Sequence, residues 1–255
     1  MAKKAVLPTE LEEAFAEDSG SGFEGITTSD LQIPFIRIIN ALSPQIDKDD
    51  SANFIKGSSA GDIFNTVTKQ MWEGDEGVVV LPSIYQMKLL EFVPRSEGGG
   101  FVGELSADAA DVRNAVRDQN TGMELLPNGN ELVRTAQYYV KIVHEDESLE
   151  SAILDMKKTQ LKKSRAWNTL MQMQRHNGKS LPMYAMTYRL KTVKESNDKG
   201  NWYNWNISQE GTVPSIEAYN EAKEMYQSIK SGELAIAPPV SLEQVEDQTD
   251  SDVPF

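Results

Sequence analysis

Residues 183–194 alternate in a way that only an extended chain can use. Tyr184, Met186, Tyr188 and Leu190 occupy the even positions, while Thr187, Arg189 and Lys191 occupy odd ones. A period of two sends these sets to opposite faces of a strand. Residues 201–207 repeat the pattern, with Tyr203, Trp205 and Ile207 on one face and Trp202, Asn204 and Asn206 on the other. Between them stands Ser196-Asn197-Asp198-Lys199-Gly200, a cluster of turn formers, so the two segments predict a hairpin.

Strand-length segments recur through the chain. Ordered structure is expected to begin near the apolar run 33–39, with a strand over 62–67 after the Gly61 turn. Residues 77–81 and 84–93 read as two further strands. A turn at Leu126-Pro127-Asn128-Gly129-Asn130 leads into a long strand over 132–143, followed by one over 151–156. Helices are fewer: a short one over 108–118, one over 159–175 carrying Trp167, Leu170 and Met171 at i, i+3 and i+4, and one over 214–230. The expected fold class is mainly β with inserted helices (α+β), a β-barrel or curved sheet with helical elaborations. Residues 1–25 read as a flexible acidic arm, 26–237 as one folded domain, and 238–255, opened by Pro238-Pro239, as a disordered acidic tail.

The formal net charge of −14 argues at first against a nucleic-acid partner. Its distribution argues the other way. Residues 1–25 hold six acids against two lysines, and residues 241–255 hold five acids and no base, so the rest of the chain carries only −5. Within that remainder, residues 157–194 contain Lys157, Lys158, Lys162, Lys163, Arg165, Arg175, Lys179, Arg189, Lys191 and Lys194 and not one Asp or Glu. Lys158, Lys162 and Arg165 follow i, i+4, i+7, a row that flexible phosphates could track. A solvated basic helix face would look similar, but such faces usually mix both signs.

Trp202, on the polar face of a strand in the basic hairpin, reads equally as a base-stacking platform and as a partly exposed structural Trp. Tyr139 and Lys141 share the strand face opposite Tyr138, Val140 and Ile142, a weaker sign of the same surface. Tyr184 and Tyr188 read as core.

Enzymatic patterns are poor. There is no phosphate-loop, nucleophile-elbow or H-E-x-x-H motif, and Cys is absent. Only His144 and His176 could supply imidazole, so a multi-histidine metal centre is not expected. Asp155-Met156-Lys157 has the acid-x-Lys spacing of half a metal-dependent nuclease site, with Asp62 as a speculative partner acid. The expectation is a non-enzyme without cofactor or metal, without a secretory signal or membrane span, in a reducing cytoplasm.

The chain closes on Asp250-Ser251-Asp252-Val253-Pro254-Phe255, an apolar tip on an acidic string. This resembles the tail of single-stranded DNA-binding proteins, where acids precede Ile-Pro-Phe; here Val253 stands for the Ile. Together with the basic, aromatic-bearing body, the chain looks like a bacteriophage single-stranded DNA-binding protein. That resemblance implies an OB-fold core and a tail that binds replication or recombination proteins through Asp250, Asp252, Val253, Pro254 and Phe255. It also implies competition between tail and DNA for the basic groove. A strand-annealing recombination protein, or an acidic interaction protein that binds no DNA, remains an alternative, and a homo-oligomer stays open.

Overall fold

The computed structural model describes residues 8–19, 21–25, 32–50, 52–119, 121–197 and 200–232. The tail expected over 238–255 lies outside the described residues. The chain divides into two compact units, Met1–Gln32 and Ile33–Phe255, a boundary a few residues beyond the expected end of the acidic arm. In the first unit, helix α1 (Thr9–Glu17) occupies a segment read from sequence as unstructured.

The second unit is mainly β, its large sheet curled into a half-barrel. In chain order it contains β1 (Ile36–Ile38), β2 (Ile63–Asn65), β3 (Met71–Trp72), β4 (Val78–Phe92), β5 (Phe101–Glu104), α2 (Ala110–Arg113), β6 (Val116–Arg117), β7 (Glu124–Leu125), β8 (Glu131–Val143) and β9 (Leu149–Lys157). Helix α3 (Leu161–Gln172), β10 (Arg175–His176), β11 (Lys179–Ser180), β12 (Met186–Asn197), β13 (Gly200–Thr212) and α4 (Ile216–Ser231) follow. Eight strands form one antiparallel sheet running β13-β12-β4-β8-β7-β6, with β5 on β4 and β9 on β8. The smaller sheets are β1-β2-β3 and the hairpin β10-β11.

The expected hairpin is present as β12 and β13, but Met183–Ala185 form a 3-10 turn ahead of β12. Tyr184 therefore leaves the alternation and, instead of joining the main core, packs half-buried against Tyr219 and Tyr226 of the last helix. The two strands expected over 77–81 and 84–93 are one, β4, continuous through Pro82. Proline cannot donate to a ladder, and the register of β4 against β8 shifts between Pro82 and Ile84. The bulge absorbs the missing donor, bends the strand and lets it continue. The helix expected over 108–118 shrinks to the single turn α2, and Val116 and Arg117 already pair as β6 with β7.

The curled sheet and α3 enclose the main core. Trp167 of α3 is 1% exposed, its ring 4.5 Å from Tyr138 and 5.6 Å from Tyr188. The Tyr138 hydroxyl donates to Asn168 Oδ1 at 2.9 Å and sits 2.7 Å from Ser164 Oγ, both on α3. Burying an aromatic with its polar tip satisfied removes the cost of desolvating that tip. Helix α4 starts where the Ser215 hydroxyl accepts the Ala218 N–H at 3.0 Å, and stops at Gly232, whose φ of 80° suits a left-handed cap. Its Met225 and Ile229 pack on Tyr139, Ile153 and Phe35, against the sheet face that points away from the main core.

Strands β9 and β13 do not pair. The three-stranded sheet stands between them: the Ile153 N–H donates to the Pro34 carbonyl at 2.8 Å, and the Tyr203 N–H to Asn40 Oδ1 at 3.3 Å. Thr192 Oγ1 donates to the Gly61 carbonyl at 2.6 Å. Gly61 has φ 103°, and a Cβ there would come 2.6 Å from the Tyr203 ring, so this seam requires glycine.

Candidate nucleic-acid interface

A groove of about 750 Å3 runs past the start of α3. Three parts of the chain build it. Lys158, Lys162, Lys163 and Arg165 come from α3 and the turn before it; Glu195, Trp202 and Asn204 from β12 and β13; Arg117, Glu124, Glu131 and Arg134 from β6, β7 and the first residues of β8. Six cations face three carboxylates, a local balance of +3 in a chain of −14. Lys158 lies one turn ahead of the regular helix with φ 51°, yet it reaches the same groove as Lys162 and Arg165, so the expected row is assembled.

Arg134 and Lys163 pair with carboxylates of the groove. Arg134 Nε lies 2.7 Å from Glu124 Oε2, and Lys163 Nζ lies 2.7 Å from Glu195 Oε1. Lys162 and Arg165 have no carboxylate partner among the described residues. Glu195 is the most elaborated group in the groove. Its Oε2 accepts from Asn204 Nδ2 at 2.8 Å, and Trp202 faces it directly across the ladder. Burial raises the Glu195 pKa, but Lys163, Asn204 and the Trp202 indole N–H together outweigh it, so the carboxyl stays below its ordinary range and ionised. The half-buried Trp202 lines the groove beside Glu195, and its indole nitrogen makes no hydrogen bond of normal geometry.

The other residues singled out from sequence lie elsewhere. Tyr139 is core, 3% exposed, with its hydroxyl donating to Gln137 Oε1 at 3.0 Å and its pKa pushed up to about 12 by burial, with Asp155 and Glu104 adding. It offers no face to a base. Lys141, on the same side of β8, lies 3.5 Å from Glu221 of α4. Arg189 grips Glu210 through two hydrogen bonds of 2.9 and 2.6 Å and reaches the Glu76 carbonyl at 3.2 Å. That grip holds the Glu210 carboxyl below its ordinary range, and Lys191 adds to the effect. Lys194, opposite Tyr203, belongs to the alternate strand face from Glu195 and Trp202. Arg175 and Lys179 sit on the β10–β11 hairpin at the far end of α3, and the Lys157 ammonium lies 5.8 Å from the Phe92 ring centre.

The acid-x-Lys pair gains no metal cluster: the described residues contain no group of three or more His, Asp or Glu placed to hold an ion. Asp155 Oδ1 accepts from Gln137 Nε2 at 3.0 Å, and Asp62 accepts the Ser59 N–H at 2.8 Å. Burial drives the Asp155 pKa up, against the pull of Arg37, Gln137, Lys157 and Lys88. Asp250, Asp252, Val253, Pro254 and Phe255 lie outside the described residues.

Arg117 and Arg134 were missed from sequence because both lie outside the acid-free stretch. Only the fold brings β6 and the start of β8 beside α3.

The family model of Pam3 phage gp34-like proteins matches residues 2–235, and the chain belongs to that family. It is thereby a bacteriophage protein. No curated protein and no solved structure matches it. No described helix is long and apolar enough to cross a membrane.

Proposed function

We propose that this phage protein binds single-stranded DNA, with little sequence preference, in the groove between α3, β6–β7 and the β12–β13 hairpin. In replication or recombination it would coat and protect the strand in the host cytoplasm. The observation that carries this reading is the convergence of Lys158, Lys162, Lys163, Arg165, Arg117 and Arg134 around Trp202. Cations neutralise phosphates without reading bases, and an aromatic face accepts any base.

Connectivity supports the same reading. The five long strands run β9-β8-β4-β12-β13, with α3 between β9 and β12 and its Trp167 plugging the core. This strand order supports an OB-fold reading, a partly open five-stranded Greek-key barrel whose ligands lie by the loops after the first strand and between the last two. Here the first of these loops corresponds to residues 93–130, and Arg117 and Glu124 from it line the groove, as do Glu195 and Trp202 from the facing ends of β12 and β13. Helix α4 and Phe35 cover much of the outer face of β8 and β9, which concentrates binding at the groove. The acidic segment 241–255 would recruit replication proteins. No catalytic step and no cofactor enter this reading.

The test is a gel shift of the full chain with single-stranded and duplex oligonucleotides of one sequence. Single strands should shift at lower protein concentration; equal or tighter binding to duplex would overturn the reading.

A further inference from the structure

The groove contains a feature that phosphate binding alone does not need. An ionised glutamate lies directly across a strand ladder from the aromatic side chain best placed to stack a base. Residues opposed in this way have Cβ atoms about 4.5–5.5 Å apart. A base resting on Trp202 would therefore bring one of its edges within reach of the Glu195 carboxylate.

The Glu195 carboxylate is oriented but not saturated. Lys163 occupies Oε1 at 2.7 Å and Asn204 Nδ2 occupies Oε2 at 2.8 Å. A carboxylate offers about four lone-pair positions, and the Trp202 indole N–H also draws on this one, so about one remains open. The Asn204 oxygen is already taken by the Trp205 N–H at 2.8 Å, which fixes the amide so that its NH2 points at Glu195. Lys163 cancels the charge of Glu195, so a phosphate passing nearby is not repelled. What remains is an acceptor-only group, oriented by Lys163, Asn204 and the Trp202 indole N–H, beside a stacking platform.

We propose that Glu195 biases the base on Trp202 toward those presenting an exocyclic amino group, and so makes the groove prefer cytosine to uracil or thymine. This inference rests on the reading of the groove as a single-stranded DNA site. Cytosine offers N4–H2 where uracil and thymine present O4, and a carboxylate that meets this C4 substituent, away from the N3–H of uracil and thymine, accepts from the first and repels the second. Adenine carries an amino group too, but its runs stack on themselves, so the clean comparison is between pyrimidines. Deoxyuridine is the better partner than thymidine because it lacks the methyl group, leaving the edge chemistry as the difference.

The experiment measures fluorescence anisotropy of labelled oligodeoxycytidine and oligodeoxyuridine of equal length with the full chain, its Glu195→Gln variant and its Lys163→Gln variant. The parent should bind the cytidine strand about fivefold more tightly, the low end of what one good base contact discriminates. Glu195→Gln, whose amide accepts and donates alike, should bring the two strands to nearly equal affinity. Lys163→Gln should weaken both strands while keeping the preference, which separates base reading from general electrostatics. Equal binding of both strands by the parent, or a preference that survives Glu195→Gln, overturns the role of Glu195 and leaves the groove reading standing. Failure of the parent to bind either strand overturns both.

Discussion

Replacing Lys158, Lys162 and Arg165 together by Gln should flatten the salt dependence of DNA binding. Gln keeps helix propensity and most of each apolar stem, so packing at the start of α3 is spared. Each single-strand phosphate neutralised contributes about −0.7 to the slope of log K against log salt. Four to six contacts in the groove give the parent a slope of about −3 to −4, and loss of three brings it up by about 2. From 50 to 200 mM salt the parent should lose affinity about a hundredfold and the variant about eightfold, by the same relation. Anisotropy titrations at several salt concentrations read both slopes. Arg189→Gln is the control, since Arg189 is already committed to Glu210 and the Glu76 carbonyl; its slope should match the parent. If the triple variant keeps the parental slope, the cations that meet phosphate are not these.

Trp202→Ala should weaken every single-stranded sequence by about 1–3 kcal/mol with little change of slope, because stacking releases few counterions; unchanged affinity would remove Trp202 from the site. Asp155 gives a pH-dependent prediction. Burial raises its folded pKa above the ordinary 3.8, so its contribution to stability is full below that value and is lost as pH rises through the folded pKa. Asp155→Asn keeps an acceptor for Gln137 and should raise the melting temperature at neutral pH with little effect near pH 4; an equal shift at both pH values would contradict this. If the same variant abolished metal-dependent cleavage of DNA by the parent, the acid-x-Lys pair would be catalytic after all.

The strands were legible where one local rule decided them. Alternation over 186–207 placed Tyr188, Leu190 and Trp205 in the core and the half-buried Trp202 on the other face. The same alternation misled at Tyr139. It assigned Tyr139 correctly to the face opposite Tyr138, but that face is covered by Met225 and Ile229 of a helix lying more than eighty residues on. Period two tells which residues share a face and not what lies upon it. The strands over 77–81 and 84–93 join through Pro82, and the bulge that lets them do so depends on a partner strand. The cationic groove was half legible. Charge runs are local, so Lys158, Lys162, Lys163 and Arg165 stood out, whereas Arg117 and Arg134 join them only through the path of β6 and β8. Conversely, Arg189 and Lys191 sat in the acid-free stretch and are balanced by Glu210 from the next strand, beyond the stretch itself.

A strand bound in the groove touches the protein at residues that no other surface shares. Photocrosslinking of a single-stranded oligonucleotide carrying halogenated bases, followed by mapping of the adducts by mass spectrometry, measures this without any substitution. Adducts are predicted at Trp202 and on the peptides spanning 117–124 and 158–166, the three walls of the groove. Adducts confined to the Arg189–Glu210 side of the hairpin or to the face of α4, with none in the groove, would contradict it.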